Sequence, residues 1–468
     1  MLAGQDKTKK QGAQVARRRR SFRILLAIWG AGLLALVVGG AFAVYDVRTT
    51  ASAAVVPEPA PVVADPRVTA VTGAEPAPTP QGLAAALGAA LANPALGEFS
   101  GSITDTTTGT VLWQRDADRP MVPASTTKVL TAAAAVLALP ADHRVDTRVV
   151  QGARPGEVVL VGGGDPTVTA LPVGTDGFYP GAPHIDDLAR QIRDAGVPVD
   201  TVLVDVGAYS GDTLARGWFP EDVAGGYIAP LEPVMLDGAR SDPAAAEPPR
   251  SATPALDAGR ALAVALGADP ATVALGSAAA GSAPLATVQS APLRDRLGQM
   301  IVHSDNVLAE AVGREVAAAT GRPVSFTGAV DGVLATLADA GFDTTGVVLH
   351  DVSGLSVDNR IPARLLDAIV AAAADPDRSD LRPLLDDLPV AGATGTLADR
   401  YGAVNRAGAG WVRAKTGTLD LVSGLTGYVV DVDGRVLSFA LVSNERPPHE
   451  ARPALDAVAS VLRGCGCR

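Results

Sequence analysis

The sequence predicts a mixed α/β (α+β) protein whose folded body follows an N-terminal membrane segment, and three observations support this expectation. Hydrophobic residues make up 47% and charged residues 19% of the 468-residue chain, which allows a sizeable core and excludes disorder of the whole chain. Helix-like and strand-like runs both occur after residue 82. Residues 24–45 carry no charge.

The N-terminal segment is predicted to cross a membrane. Residues 1–23 form a basic arm with eight basic residues and one acidic residue, and positive charge next to an apolar helix stays in the cytoplasm. A helix over residues 24–45 would be about 33 Å long, enough to span a bilayer core. A cleaved signal peptide ending at Ala41-Phe42-Ala43 is the alternative, but the long apolar run favours a retained anchor. Both interpretations place the body outside the cytoplasm.

Residues 46–81 are predicted to form an extended linker. The segment holds seven prolines among alanine, valine and threonine residues. This composition favours a polyproline-like chain over a packed core. Such a linker would hold the folded body away from the membrane.

The folded body is predicted to cover residues 82–468, with a long middle region at 145–290. Helices are expected at 82–92, 125–137, 186–195, 293–315 and 453–462. Strands are expected at 100–105, 110–115, 157–161, 201–206, 424–430 and 435–442. The last two strands flank Asp431-Val432-Asp433-Gly434, which is typical of a hairpin turn.

Charge and composition exclude several functions. The chain after residue 23 is acidic, which argues against a general nucleic-acid binder. Cys465 and Cys467 are too few for a disulfide scaffold or a Cys-rich zinc site, and a bridge across one residue would be strained. The five histidines are scattered without ligand spacing. No metal or other cofactor is expected.

The body uses arginine almost everywhere and keeps only two lysines, Lys128 and Lys415. Arginine stays protonated at any working pH, whereas a buried lysine can lose its proton and act as a base. Both lysines lie in short motifs, which favours a chemical role for each.

The first motif is Ser125-Thr126-Thr127-Lys128, at the predicted start of a helix. Residues i and i+3 share a helix face, so the lysine amine can reach the serine hydroxyl. The helix N-terminus also stabilises negative charge that develops there. Alone, the pattern occurs often by chance, and Ser125 would then be only a helix cap.

Two further motifs follow along the chain. Ser304-Asp305-Asn306 offers a serine to relay a proton and an amide to hold a lysine and a substrate carbonyl, although it also suits a turn or helix cap. In Lys415-Thr416-Gly417-Thr418, the lysine and a hydroxyl suit a carboxylate and the glycine allows close approach to a ligand, the alternative being an exposed loop. In this order the three motifs form the pattern of β-lactamases and penicillin-binding proteins, which is far more specific than any one motif.

Over about residues 82–468, the chain resembles the low-molecular-mass class C penicillin-binding proteins of actinobacteria, which are D-alanyl-D-alanine carboxypeptidases and endopeptidases. The three motifs are joined by Gly162-Gly163-Gly164-Asp165-Pro166, Asp351-Val352-Ser353-Gly354-Leu355-Ser356 and Cys465-Gly466-Cys467. The resemblance implies a serine β-lactamase/DD-peptidase-like fold, with a five-stranded antiparallel sheet flanked by helices. The long separation of the first two motifs implies a large inserted domain at 145–290.

The resemblance also implies catalytic roles. Ser125 would be the nucleophile that forms an acyl-enzyme with peptidoglycan stem peptides, and β-lactam antibiotics would be covalent inhibitors. Lys128 would be the acylation base. Ser304 and Asn306 would complete the proton relay and position the substrate.

Substrate binding is implied at the third motif. Lys415 and Thr416 would hold the terminal carboxylate, with Gly417 beside them, and the backbone N–H groups of Ser125 and Thr418 would form the oxyanion hole. Recognition of the amine and carboxylate of the peptide side chain is expected from residues for which packing or a surface ion pair is the alternative: Trp218, Asp222 and Arg360.

Two other functions stay open at this point. A serine β-lactamase would need a water-activating glutamate, but only Glu310 and Glu315 occur between Asn306 and Lys415, and no Glu-x-x-x-Asn pattern follows. A non-catalytic muropeptide- or β-lactam-binding protein would have lost a motif residue, and all are present. Both observations favour a slowly deacylating carboxypeptidase, and the balance with endopeptidase action stays open.

Overall fold

The computed structural model describes residues 74–375 and 378–468. The predicted basic arm, the predicted anchor at 24–45 and most of the predicted linker lie outside these residues. Within the described ranges, no helix combines the length and the apolar character needed to cross a membrane.

The described chain contains both helices and strands. The helices are α1 (Pro80–Leu91), α2 (Lys128–Ala138), α3 (Ile185–Asp194), α4 (Glu221–Ala224), α5 (Pro254–Leu266), α6 (Leu293–His303), α7 (Asn306–Ala319), α8 (Phe326–Asp339), α9 (Ala363–Ala374), α10 (Pro383–Asp386) and α11 (Pro448–Arg463). The strands are β1 (Glu98–Asp105), β2 (Thr110–Arg115), β3 (Pro120–Met121), β4 (Asp146–Gln151), β5 (Glu157–Val161), β6 (Thr201–Asp205), β7 (Ala274–Leu275), β8 (Pro284–Gln289), β9 (Ile361–Pro362), β10 (Arg413–Leu419), β11 (Val422–Val430) and β12 (Val436–Asn444).

The first sheet has five strands in the order β10-β11-β12-β1-β2, and every neighbouring pair is antiparallel. This is the five-stranded antiparallel sheet expected from the sequence. Strands β1 and β2 come early in the described sequence, and the other three strands of this sheet come near its end. Because β10 is an edge strand, one side of its backbone is open to groups outside the sheet.

Helices cover both faces of this sheet because successive side chains of a strand point to opposite faces. In β12, Phe439 and Leu441 pack with apolar side chains of α1 and α11. The intervening Ala440 and Val442 belong to the apolar cluster on the other face, which also includes side chains of α2 and of α6 to α9. The strand is apolar on both faces, and the sheet forms the middle layer of three.

A second sheet lies within residues 145–290. Its strand order is β7-β6-β5-β4-β8, with β5, β6 and β7 parallel and the pairs β4–β5 and β4–β8 antiparallel. Helices α3 and α5 pack against it through apolar side chains such as Leu188 and Leu262. All five strands fall between the first and second halves of the first sheet in sequence.

The predicted helices and strands match observed ones with shifted ends, but the single helix predicted over 293–315 is wrong. Helix α6 ends at His303 and α7 begins at Asn306. Ser304 adopts the left-handed conformation with φ of 59°, and the extended Asp305 caps α7 by accepting a hydrogen bond from the Leu308 N–H at 2.9 Å. Helix-cap chemistry therefore ends one helix and starts the next inside the second motif.

The C-terminus is fastened beside α1. Cys465 and Cys467 form a disulfide directly after α11. The Cys467 carbonyl accepts a hydrogen bond from the Thr79 N–H at 2.8 Å. The last residues are thus bound to the start of the first helix in the described part of the chain.

Candidate active site

The segment carrying Ser125 is a tight turn ahead of α2. Residues Ala124–Thr127 form one turn of 3₁₀ helix, entered through Ala124 with a positive φ of 49°. The Thr126 hydroxyl donates to the Pro123 carbonyl at 2.7 Å, and the Thr127 hydroxyl donates to the Ala124 carbonyl at 2.9 Å. These bonds fix the nucleophile turn, residues 123–127.

Two glycines let neighbouring segments close on the nucleophile turn. At Gly354, with φ of +85°, a Cβ would lie 1.9 Å from the Ala124 carbonyl oxygen. At Gly417, a Cβ would lie 2.6 Å from the Pro123 carbonyl oxygen. The close approach predicted for Gly417 is therefore to the nucleophile turn itself. Because Gly417 has no side chain, the edge strand β10 packs directly against this turn.

Lys128 connects the first motif to the second. Its Nζ donates to Ser125 Oγ at 3.1 Å, to Asn306 Oδ1 at 2.6 Å and to the Ser353 carbonyl at 2.7 Å. The side chain is fully buried at the start of α2. The three contacts leave the amine pointed at the serine hydroxyl with little freedom to move.

The electrostatics of Lys128 favour its neutral form at mildly alkaline pH. Burial lowers the pKa of Lys128 to about 8, although the charges of Asp351, Asp305 and Glu310 oppose this shift. Loss of hydration penalises the ammonium more than the three carboxylates stabilise it. A minor fraction of the lysine is therefore unprotonated near neutral pH, and this fraction grows towards pH 8.

Lys415 makes a parallel connection between the third and second motifs. Its Nζ donates to Ser304 Oγ and to the Thr416 carbonyl, both at 2.8 Å. The side chain is fully buried. Burial and the nearby charge of Lys128 hold the pKa of Lys415 well below its usual value.

The outer part of the third motif meets two other segments. The Thr416 hydroxyl donates to Thr396 Oγ1 at 2.7 Å. The Arg452 guanidinium, on α11, donates through Nη2 to Thr418 Oγ1 at 2.9 Å. The Thr416 hydroxyl thus contacts the hydroxyl of Thr396, and the Thr418 hydroxyl contacts the guanidinium of Arg452.

Asp351 organises the segment that carries Ser353. It is fully buried and accepts hydrogen bonds from the Gly354 N–H at 2.9 Å, from Asn359 Nδ2 at 2.6 Å and from Trp218 Nε1 at 2.7 Å. The predicted recognition residue Trp218 therefore directs its only polar group to Asp351. Through this network it supports the Ser353 carbonyl that Lys128 contacts.

The other two predicted recognition residues are not joined to the three motifs by any hydrogen bond or ion pair in the described ranges. Asp222 accepts from the Phe219 N–H at 2.9 Å at the start of α4. Arg360 donates to the Val357 and Asn359 carbonyls at 2.8 Å and lines a cleft of about 350 Å³ that also includes Val122.

Residues of the 145–290 segment hold the middle residue of the second motif. Arg240 Nη2 donates to Asp305 Oδ2 at 2.9 Å, and the Tyr179 hydroxyl donates to the same oxygen at 2.8 Å. The Arg240 and Asp305 side chains are each 1% exposed. The Arg240 charge holds the pKa of Asp305 well below its usual range, in spite of burial.

The carboxylate of Glu310 makes hydrogen bonds and an ion pair within the protein interior. It is fully buried and accepts from the Val352 and Ser353 N–H groups at 2.9 and 2.8 Å, and it pairs with Arg314 at 3.3 Å. Burial raises the pKa of Glu310 to about 7. Glu315 pairs with Arg296 instead. In the described part of the chain, neither glutamate is hydrogen-bonded to the nucleophile turn.

Sequence reasoning gave no role to Asp351, Thr396, Arg452 or Arg240. Asp351 belongs to a segment that supported the family resemblance, so that segment was the available signal. Thr396 lies in a glycine-rich loop and the two arginines lie among many others. No local pattern separates them from ordinary surface or core residues.

Comparisons with known sequences agree with one another. The pattern of the D-Ala-D-Ala carboxypeptidase 3 (S13) family matches residues 83–249 and 243–463. Carboxypeptidase DacB of Mycolicibacterium smegmatis is 52% identical over 455 residues, covering 96% of this chain and 99% of the relative. A carboxypeptidase of Mycobacterium tuberculosis is 52% identical over 415 residues, covering 88% of this chain and 90% of the relative.

The fold is similar to that of penicillin-binding protein 4 from Haemophilus influenzae. Its crystal structure gives a TM-score of 0.65 at 20% identity, covering 80% of this chain and 97% of that chain. A crystal structure of that protein complexed with a β-lactam gives a TM-score of 0.61 at 19% identity, covering 79% and 97%.

Proposed function

The chain belongs to the D-Ala-D-Ala carboxypeptidase 3 (S13) family, and from this premise we propose that it is a serine-type D-Ala-D-Ala carboxypeptidase that acts on peptidoglycan stem peptides. The observation that carries the proposal is the 3.1 Å hydrogen bond between Lys128 Nζ and Ser125 Oγ. In its neutral form, Lys128 can accept the serine proton and so activate the nucleophile.

Acylation begins at the nucleophile turn. Ser125 Oγ attacks the carbonyl carbon of the penultimate D-alanine while Lys128 Nζ takes the hydroxyl proton. The negative charge on the carbonyl oxygen is stabilised by the backbone N–H groups of Ser125 and Thr418. The close packing of Gly417 against Pro123 supports this pairing, because it brings the edge strand β10 next to the nucleophile.

The C–N bond then breaks and the leaving nitrogen takes a proton. Ser304 is the proposed donor, since its hydroxyl contacts Lys415 Nζ. Asn306 holds Lys128 and positions the substrate carbonyl. The terminal D-alanine departs, and water attacks the ester on Ser125 to release the shortened peptide and restore the hydroxyl.

Recognition of the stem-peptide side chain is proposed for the cleft at Arg360. The cleft adjoins Val122, which directly precedes the nucleophile turn, and the guanidinium offers a partner for a carboxylate. The contacts of Trp218 with Asp351 and of Asp222 with the Phe219 N–H favour a positioning role for those two residues.

β-Lactams are proposed to acylate Ser125 in the same way and to stay bound. Hydrolysis of the acyl-enzyme as fast as in a β-lactamase needs a base that activates water. The engagement of Glu310 by two backbone N–H groups and Arg314 supports slow deacylation. The complete set of motif residues argues against a non-catalytic binding protein.

We also propose that the body lies outside the cytoplasmic membrane, anchored by residues 24–45. The basic arm before this uncharged run supports that orientation. Protease added to intact spheroplasts should digest the chain beyond residue 82, and full protection would contradict the topology. A mature N-terminus at Val44 would establish a cleaved signal peptide and leave export intact.

The activity is tested by release of D-alanine. Full-length protein in detergent is incubated with a peptide ending in D-Ala-D-Ala, beside Ser125→Ala and the control Ser277→Ala, which changes an exposed serine at the second sheet. Wild type and the control should release D-alanine at equal rates, and Ser125→Ala should release none above background. Equal release by Ser125→Ala, or none by wild type, would refute the proposal.

A further inference from the structure

The terminal carboxylate of the substrate needs a cation, and Lys415 is poorly placed to provide it. Lys415 is fully buried and both of its hydrogen bonds go to Ser304 Oγ and the Thr416 carbonyl. Burial and Lys128 also lower its pKa, which weakens its positive charge. The contacts of Lys415 therefore suit a proton relay with Ser304 better than direct binding of an anion.

Arg452 is a cation at the outer end of the same strand. It is exposed on α11, and its guanidinium stays charged at any working pH. Within the described ranges it makes no ion pair, because Asp456, on the same helix, is paired with Arg400. Its one side-chain hydrogen bond there is the donation to Thr418 Oγ1. The remaining guanidinium N–H groups can bind an anion.

The hydroxyls beside Arg452 complete a set of donors. Thr416 and Thr418 are two residues apart on β10, so their side chains share one face of the strand. Thr418 accepts from Arg452, which leaves its own O–H free to donate. Thr396 accepts from Thr416 and can likewise donate its proton outward. Hydroxyl donors around one planar guanidinium fit a carboxylate.

We propose that Arg452, supported by Thr396, recognises the free carboxylate at the end of the stem peptide and thereby selects chain ends over internal peptide bonds. The inference rests on the proposed carboxypeptidase function. A peptide bond inside the stem presents an amide where the chain end presents a carboxylate, so a cation at this position favours cleavage at the chain end.

The test compares two substrates on the full-length protein. One is a peptide ending in D-Ala-D-Ala with a free carboxylate, and the other is a matched D-alanyl ester whose leaving group has no carboxylate. The variants are Arg452→Ala, Arg452→Lys and Thr396→Val. The control is Arg260→Ala, which removes an exposed arginine on α5 that pairs with Asp257.

For Arg452→Ala, kcat/KM on the carboxylate peptide should fall about ten- to hundredfold, mainly through KM, as expected for loss of a charge-assisted hydrogen bond. Its kcat/KM on the ester should stay close to wild type. Arg452→Lys should recover part of the loss, Thr396→Val should show a smaller loss, and Arg260→Ala should behave as wild type on both substrates.

An equal loss on both substrates would make Arg452 a structural link between α11 and β10, and no loss on either would also overturn the proposal. The unfolding temperature of each variant shows whether it is folded. Failure of the proposed function looks different, because wild type would then hydrolyse neither substrate, and the role of Arg452 would fall with it.

Discussion

The two buried lysines differ in what they can do for a reacting serine. Lys128 Nζ is hydrogen-bonded to the hydroxyl of Ser125, whereas Lys415 Nζ is hydrogen-bonded to that of Ser304. Sequence reasoning expects Lys128 to move protons and Lys415 mainly to supply charge. The observed contacts support proton transfer at Lys128 and place the Lys415 amine against the Ser304 hydroxyl.

Replacement of Lys128 by arginine shows whether the residue acts as a base or only supplies a positive charge. The guanidinium would remain protonated, so Lys128→Arg should lower the acylation rate about 10²–10⁴-fold. The loss should be similar for a carboxylate peptide and an uncharged ester, since both need the serine proton removed. Stopped-flow or quench measurements of acylation check this, with Arg260→Lys as control. Acylation within a fewfold of wild type would show that Lys128 is not the base.

The pH dependence of acylation follows from the same residue. A lysine with its pKa lowered to about 8 is protonated below that pH and neutral above it. The acylation rate on the uncharged ester should therefore rise about tenfold per pH unit up to about pH 8 and then level off. A rate that is flat between pH 6 and 9, or that keeps rising to pH 10.5, contradicts the assignment.

Each motif could be found in the sequence by itself, because it consists of a few consecutive residues. Their pairing could not, since Lys128 and Asn306 are 178 residues apart and Ser304 and Lys415 are 111 apart. Only the family resemblance linked them. Arg452 had no local pattern, because its contact with Thr418 depends on how α11 and β10 meet in the folded chain.

At the scale of elements, the site depends on how closely the segment 351–359 and strand β10 approach the nucleophile turn. Gly354 has a positive φ, and no side chain fits between it and the Ala124 carbonyl. The contact fixes the entry to the turn that presents Ser125. A methyl group there must displace the turn that carries Ser125.

Gly354→Ala should therefore lower both stability and acylation. Gly341→Ala is the matched control, because Gly341 has a similar φ of +90° but no heavy atom within 4 Å of the added Cβ. Both variants carry backbone strain of about 1–2 kcal/mol, and only Gly354→Ala should also slow acylation, by at least tenfold. Calorimetry and acylation kinetics measure the two effects. Equal acylation rates of the two variants would show that the close packing at Gly354 does not control acylation.

Elements with strong local patterns were predicted well, and those shaped by capping were not. The hairpin β1–β2 and the pair β11–β12 have alternating side chains and clear turns, and both are present in the first sheet. The break between α6 and α7 was missed because apolar periodicity continues across it. Asp305 overrides that periodicity by capping α7.

At the scale of the molecule, the 145–290 segment is part of the active-site support. It contributes Arg240 and Tyr179, which hold Asp305 in the second motif through contacts buried on all sides. Removal of one partner from a buried ion pair typically costs about 3–5 kcal/mol. The sequence predicts a large insertion here but offers no reason for it to contact the second motif.

The central claim is that Ser125 is the nucleophile of an enzyme that deacylates slowly, and its most direct test is the mass of the protein after β-lactam treatment. Full-length protein treated with benzylpenicillin should gain one drug mass. Peptide mapping should assign it to the peptide containing Ser125, and the adduct should persist after free drug is removed. Ser125→Ala should gain none. An adduct on another residue, no adduct at saturating drug, or loss of the adduct as fast as it forms would contradict the account.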